Sequence, residues 1–393
     1  MAAGSTPGTA PPPIRLGMVG GGEGAFIGAV HRYAARLDGD YALVAGALAA
    51  TPEKARRSGL ALGLAEDRIY DDYAHMAVAE AARPDGIEAV AIVTPNHLHA
   101  PVATAFLQAG IHVICDKPVT ATAAEAQALR DLVERSGLVF ALTHNYTGYA
   151  MVRHARQMVQ DGALGRIRVV QVEYPQDWLA EPIERSGNKQ ADWRADPARA
   201  GAGGCIGDIG THALQLAEFV SGQQATAICA ELTSFVDGRL LDDNAQVMLR
   251  YSDGARGTLW ASQVAPGHAN DLRLRIYGSS GGIEWRQQQP DELLWSPLGQ
   301  PTQIIRRGTP AANAAAARVS RLPGGHPEGY IEAFGTLYRE IADHLRAARA
   351  RGQAKAPRDS HFPTVADGLR GLQFVEAAVA SSRAGGCWVT MPA

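Results

Sequence analysis

The 393-residue sequence predicts an α/β N-terminal unit on a doubly wound parallel sheet, followed by an α+β C-terminal unit with an open, mostly antiparallel sheet. Three observations carry this. The chain is longer than one hydrophobic core usually supports. Over residues 14–146, strand-like runs that are apolar along their whole length alternate with amphipathic helical runs, as in a parallel sheet covered on both faces. From residue 225 strand follows strand with no helix between, which implies antiparallel pairing.

The elements follow in order. Residues 1–13 are Gly/Pro/Thr-rich and lack the basic-then-apolar order of a signal peptide, so a disordered tail is expected. IRLGMVG precedes a helix near Ile27–Leu37, and YALVAGA precedes one near Pro52–Leu62. EAVAIVT leads to a helix near His99–Ala109, HVICD to one near Ala123–Ser136, and LVFALT closes the series. Right-handed crossovers make this a Rossmann-like unit, assigned to residues 14–146. The second unit, residues 147–393, opens with a helix near Tyr149–Asp161 and the strand IRVVQVEY. A long polar, Trp-bearing stretch from Pro175 to Gly204 and a helix at Asp208–Ser221 come next. The strands ATAICAELTSF, NAQVMLRY, GARGTLWASQ, DLRLRIYG and GGIEW follow, with Asp253-Gly254 as a hairpin turn. Helices return at Glu328–Arg349 and Val365–Ala384, across a Gly/Lys/Pro-containing stretch. Ala-rich Thr309–Ala317 reads as a surface loop, and His326 as a cap for the helix it opens.

Composition excludes several function classes. A net charge of -3 argues against a nucleic-acid partner or an anionic membrane. No segment has the apolar length of a membrane span. Cys115, Cys205, Cys229 and Cys387 are far apart and form no C-x-x-C pair, so no zinc knuckle or redox dithiol is signalled and a reduced, cytoplasmic location is expected. The histidines show no clustering that suits a metal.

The first chemistry-bearing feature is the glycine turn between the first strand and first helix. Gly20, Gly22, Gly24, Ile27 and Gly28 would let backbone approach a pyrophosphate at the helix N-terminus. The loop is longer than the plain G-x-G-x-x-G. The second strand ends in small residues followed by Lys54, Arg56 and Arg57, without an acid for the adenosine ribose. These cations suit either a 2′-phosphate or a solvated helix face, so NAD and NADP both stay open.

Three further motifs belong together: Thr94-Pro95-Asn96-His97-Leu98-His99, Asp116-Lys117-Pro118 and Gly207-Asp208-Ile209-Gly210-Thr211-His212. The first two lie at carboxyl ends of parallel strands, where such sheets bind ligands, and Thr94, Pro95, Asn96, His99, Asp116, Lys117 and Pro118 are taken as coenzyme contacts. Lys117 projects into the crevice over the nicotinamide, with Lys117-Pro118 a candidate cis bond. Asp208 and His212, four apart on a helix, face the same way. An ammonium, a carboxylate and an imidazole in one crevice suit dehydrogenation of an alcohol. His212 accepts the hydroxyl proton, Lys117 stabilises the alkoxide, and Asp208 orients both and holds a substrate hydroxyl.

Read together, these motifs resemble the Gfo/Idh/MocA family, which includes glucose–fructose oxidoreductase and inositol dehydrogenases. The resemblance runs from Ile14 to Val389. Asp116-Lys117-Pro118 is similar to the family's Glu-Lys-Pro, with Asp replacing Glu, and Asp208 with His212 matches its D-x-x-x-H helix. The resemblance implies sugar or cyclitol substrates, Lys117, Asp208 and His212 as the catalytic trio, and homo-oligomers, a homodimer or homotetramer, formed through the open sheet. Asn145 and Tyr146, with His144, end the last parallel strand and either touch substrate or nicotinamide or hydrogen-bond at a domain junction. Trp178, Trp193 and Arg194 form either a wall for a sugar ring or a loop anchor. Two rivals to a dehydrogenase are a sugar hydrolase or lyase that oxidises transiently on tightly bound NAD, and a nucleotide-sensing regulator without chemistry.

Overall fold

The computed structural model describes residues 11–351 and 360–392. Residues 1–10 of the expected tail and 352–359 of the Gly/Lys/Pro stretch lie outside the described residues. The first sheet assembles from β1 (Ile14–Gly20), α1 (Phe26–Leu37), β2 (Tyr41–Ala47), α2 (Pro52–Ala61), α3 (Tyr73–Ala82), β3 (Ala89–Val93), α4 (His99–Gln108), β4 (His112–Cys115), α5 (Ala123–Ser136) and β5 (Phe140–Leu142). Its strands run parallel in the order β2-β1-β3-β4-β5. Every residue of β3 is buried, as expected for a strand covered on both faces.

Helix α3 was not expected. Its buried face carries Glu80, which meets Arg68 in a buried ion pair, so no apolar stripe advertises it.

The second sheet is drawn from α6 (Ala150–Gln160), β6 (Ile167–Pro175), α7 (Lys189–Arg194), α8 (Pro197–Ala200), α9 (Thr211–Ser221), β7 (Ala225–Thr233), β8 (Asn244–Tyr251), β9 (Arg256–Ser262), β10 (Arg273–Gly278), β11 (Gly281–Arg286), β12 (Glu292–Pro297) and β13 (Gln303–Arg306). With β14 (Val389–Thr390) it has nine strands in the order β13-β12-β11-β10-β6-β9-β8-β7-β14, all antiparallel except β6 with β9. The hairpin β12–β13 extends it beyond expectation, because short ELLWSP and QIIR show no clean alternation. In β8 burial alternates, placing Ala245, Val247, Leu249 and Tyr251 in the core and Gln246, Met248 and Arg250 on the uncovered face.

The chain then returns to the first sheet. After α10 (Ala314–Val319), helix α11 (Tyr330–Arg351) lays Phe334, Leu337, Tyr338, Ile341 and Leu345 among Leu16, Met18 and Val30. Helix α12 (Val365–Arg383) bridges the cores: Val365, Leu369 and Leu372 pack with Val119 and Phe140, whereas Phe374, Val375 and Ala378 join the core of the second sheet.

Three local expectations are corrected. Thr309–Ala317 is not simply a surface loop. Asn313 caps α10, and Ala316 and Val319 pack on Ala150 of α6, because small side chains let the two helices approach. The helix expected from Asp208 begins as a π-helical turn, Ile206–Gly210, which passes into α9. His326 does not cap α11: the helix starts at Tyr330, Glu332 accepts from the Gly329 amide at 2.8 Å, and the His326 carbonyl accepts from Arg307.

Candidate active site

The carboxyl ends of β1, β3, β4 and β5 deliver the glycine turn, Thr94, Asp116-Lys117 and Thr143–Tyr146 to one edge of the parallel sheet. Facing them across a cavity of about 1160 Å³ are Asp208 and His212 from the π-turn and α9, Tyr174 from the end of β6, Trp178, Trp193 and Arg194 from the polar stretch, and Asn270. One cleft thus holds both the glycine turn and the Lys117–Asp208–His212 group.

At the coenzyme end the loop is clamped to the helix it enters. A Cβ on Gly28 would lie 2.3 Å from Gly21 Cα, so two bare backbones must meet there. Gly21, at φ +73°, is a contact that counting fingerprint glycines missed. Arg32 holds the turn through the Gly21 carbonyl at 2.6 Å. The N-terminus of α1 has no side-chain cap, and Ala25, Phe26 and Ile27 line the cleft. Thr94 Oγ1 and Asn145 Nδ2 are buried cleft-side polar atoms without a protein partner. A tight glycine cradle, an uncapped helix start and two orphaned polar groups fit a dinucleotide.

Gly20, Gly22, Ile27, Thr94, Pro95, Asn96, Asp116 and Lys117 line this cleft. Gly24, Gly28, His99 and Pro118 do not. Gly28 and His99 stand behind it; Pro118 lines a smaller adjoining cavity. The ring of His99 ties two strand ends together, with Nδ1 2.6 Å from the Pro118 carbonyl and Nε2 2.9 Å from that of Thr94. The Lys117-Pro118 bond is cis. Asp116 accepts from the Lys117 amide at 2.9 Å and from Thr143 Oγ1 at 3.0 Å. At the end of β2 the cleft meets Ala49, Ala50, Thr51 and Lys54, while Arg56 and Arg57 pair with Glu66 and Glu23 on the surface.

The charged group is compact. Lys117 Nζ donates to Asp208 Oδ1 and to its backbone carbonyl, both at 2.8 Å. Arg194 Nε reaches Asp208 Oδ2 at 3.1 Å, and Gln263 Nε2 reaches the same oxygen at 3.0 Å. Burial alone would raise Asp208, but Arg194 and Lys117 outweigh it and hold the carboxyl well below the usual range. The Arg194 guanidinium lies 4.1 Å from the ring centre of Trp193 and 5.7 Å from that of Trp178.

The imidazole is set in a neutral nest. His212 is 7 % exposed, and its ring lies 4.9 Å edge-on from that of Tyr146. The Tyr146 hydroxyl bonds that of Tyr174, which donates to Asn270 Oδ1 at 2.8 Å. Burial first, then Lys117, pushes the His212 imidazole well below its usual value, so it stands ready to accept a proton. Burial raises Tyr146 and Tyr174, keeping both phenols protonated.

Sequence reading missed Gly21, Tyr174, Gln263, Asn270, Tyr330 and Phe334, although each lines the cleft or bonds within it. Only Gly21, inside the glycine run, carried a local signal. Among the described residues no group of three or more His, Cys, Asp or Glu could hold a metal, and no helix is long and apolar enough to cross a membrane. All four cysteines are free.

Comparison with known proteins places this geometry. Residues 14–144 match an oxidoreductase family with an NAD-binding Rossmann fold, and residues 152–284 match the GFO/IDH/MocA C-terminal domain. An oxidoreductase structure from Sinorhizobium meliloti is 51% identical with a TM-score of 0.86, covering 96% of this chain and 99% of that one. An inositol dehydrogenase homolog from Azotobacter vinelandii, solved with NADH and myo-inositol, is 36% identical at a TM-score of 0.88, covering 96% and 97%. A levoglucosan dehydrogenase of Pseudarthrobacter phenanthrenivorans is 30% identical over 96% of this chain and 98% of its own.

Proposed function

The chain belongs to the Gfo/Idh/MocA oxidoreductases, an NAD-binding family, and on that footing we propose that it oxidises and reduces a secondary alcohol of a sugar or cyclitol. The observation that carries this reading is the meeting of Lys117, Asp208 and His212 in the cleft that also holds the glycine turn. When bound there, a nicotinamide dinucleotide supplies the hydride acceptor or donor.

Residues 14–146 form the coenzyme unit in this reading, and residues 147–393 bring the substrate side. The glycine turn and the start of α1 seat the pyrophosphate, with Gly20, Gly22, Gly24, Ile27 and Gly28 shaping the approach. Thr94, Pro95, Asn96 and Asp116 line its nicotinamide end, while His99 and Pro118 brace that edge from behind. Asn145, Tyr146, Trp178 and Arg194 contact the polyol, the two aromatic faces packing on its C–H patches.

His212, neutral and buried, takes the proton from the alcohol oxygen in oxidation and returns it in reduction. Lys117 holds the developing alkoxide with its ammonium. Asp208, kept ionised by Lys117 and Arg194, fixes the Lys117 amine and accepts a neighbouring substrate hydroxyl. The largely aromatic wall of Tyr146, Tyr174 and Phe334 flanks the reacting carbon. Exposed Val169, Met248, Tyr277 and Ile304 on the uncovered sheet face support pairing of copies into a homodimer or homotetramer.

A panel of inositols, hexoses and anhydrosugars, screened with NAD and NADP by absorbance of the reduced nicotinamide, tests the proposal. Turnover of at least one polyol is expected. A panel without turnover, in protein whose unfolding neither coenzyme shifts, overturns it.

A further inference from the structure

His144 leads the turn after β5 and is 3% exposed, yet none of the steps above uses it. Its Nδ1 lies 3.2 Å from Nδ1 of His212, with ring centres 5.0 Å apart and planes at 88°. Two imidazole nitrogens can share such a contact only if one carries the hydrogen and the other offers its lone pair. Burial, then Lys117, pushes His144 down to about 3, and the same two influences keep His212 neutral. The neutral pair therefore holds one hydrogen at its junction.

The other groups facing His212 do not supply a nitrogen partner. Tyr146 and Tyr174 meet it only by ring contacts, and their hydroxyls are engaged with each other and with Asn270. Lys117 and Asp208 act on the imidazoles by charge, Lys117 lowering both and Asp208 raising His212, but they bond each other.

We propose that His144 is a positioning residue that sets the tautomer of His212 by accepting, at its own Nδ1, the hydrogen carried on His212 Nδ1. The inference rests on His212 being the proton-transferring group. With the hydrogen on His212 Nδ1, Nε2 presents a bare lone pair, the form that takes a proton from an alcohol. In that step the substrate O–H bond breaks, an N–H bond forms at Nε2, and the imidazolium's Nδ1–H donates to His144. In reduction the step runs backward: the imidazolium returns its Nε2 proton to the alkoxide and is left neutral, its Nδ1–H still donating to His144. A hydrogen held at Nδ1 by one fixed contact thus keeps Nε2 turned to the reacting oxygen in both directions of the reaction.

Nitrogen-15 NMR of histidine-labelled protein, free and with NAD, reads this directly. His212 should carry its hydrogen on Nδ1 and His144 on Nε2; finding His212 hydrogenated at Nε2 overturns the proposal. Kinetics separate it from the reading beneath it. His144→Leu should lower kcat on the order of 10–100-fold with KM and coenzyme affinity little changed, as removing partners that orient a functional histidine does. The near-isosteric His144→Asn, which keeps a polar group near Nδ1, should recover most of that loss. If His144→Leu keeps full kcat while His212→Ala is crippled, the positioning role fails and the proton-transfer role stands. If His212→Ala itself retains full activity, the underlying reading fails.

Discussion

The charged side and the neutral side of the site, each drawn from both faces of the cleft, solve the cost of burial in opposite ways. On one, three charges are taken largely out of water and held together, Asp208 between Lys117 and Arg194, with Gln263 donating to the same carboxylate oxygen as Arg194. On the other, His144, His212, Tyr146 and Tyr174 are buried more deeply and stay neutral, paired by hydrogen bonds rather than charge. A buried carboxylate survives only where cations offset its desolvation; a buried imidazole survives by giving up its proton. The division matches the work of an alcohol dehydrogenase, which needs fixed charge beside the oxygen and an unprotonated base next to it.

Four experiments sharpen or break this contrast. Removing the base should have the largest effect: His212→Ala is expected to lower kcat by roughly 10²–10⁴-fold, and a variant near full turnover would move proton transfer to the charged wall. Next, Lys117→Met should cost roughly 10²–10³-fold in kcat, the usual loss of one preorganised donor, while the NAD-dependent rise in unfolding temperature persists. Equal losses of both would make Lys117 a coenzyme clamp. At the coenzyme end, Gly28→Ala forces a methyl against Gly21 and should cost about 1–3 kcal/mol of stability, read by urea unfolding, together with weaker NAD binding.

The smallest effect per group is the pH response of the neutral wall and its surroundings. His144 at about 3, and His31 and His112 each at about 4, lie below the usual imidazole value of 6.5. Below that value the unfolded chain takes up protons that the folded chain refuses. The stability these rings contribute is therefore complete above 6.5 and lost as pH falls toward 4. The slope is about 1.4 kcal/mol per pH unit for each ring, measurable by urea titration between pH 7 and 4.5. Because His212 is also depressed, kcat/KM should show no acidic limb centred on 6.5. A limb there would place His212 in a wetter setting than described.

The parts of the site written in contiguous sequence were readable, and the parts assembled across the fold were not. The glycine turn announces itself because pyrophosphate binding needs bare backbone immediately after a strand. Asp208 and His212 announce themselves because helical spacing puts them on one face. Tyr174, Gln263 and Asn270 carry no such rule: each is one polar side chain near a strand end or in a loop, and its role exists only once β6, β9 and the π-turn converge. His144 was noticed for its place after β5, but its partnership with His212, 68 residues away, is a tertiary fact. The same limit hid α3, whose inward face is stitched by an ion pair, and exposed the risk in reading Ala-rich 309–317 as a loop.

Helix α11 has a consequence for how the molecule comes apart. Its Tyr338 hydroxyl bonds His31 at 2.8 Å, and its Phe334 lines the cleft from the side of the parallel sheet. A chain severed after residue 146 would leave that flank of the sheet covered by α1 without α11, and neither half would carry a complete roof over the coenzyme. Heat or denaturant should therefore melt the protein in a single cooperative step, and trimming its C-terminal helices should abolish nucleotide binding even though every glycine of the turn remains.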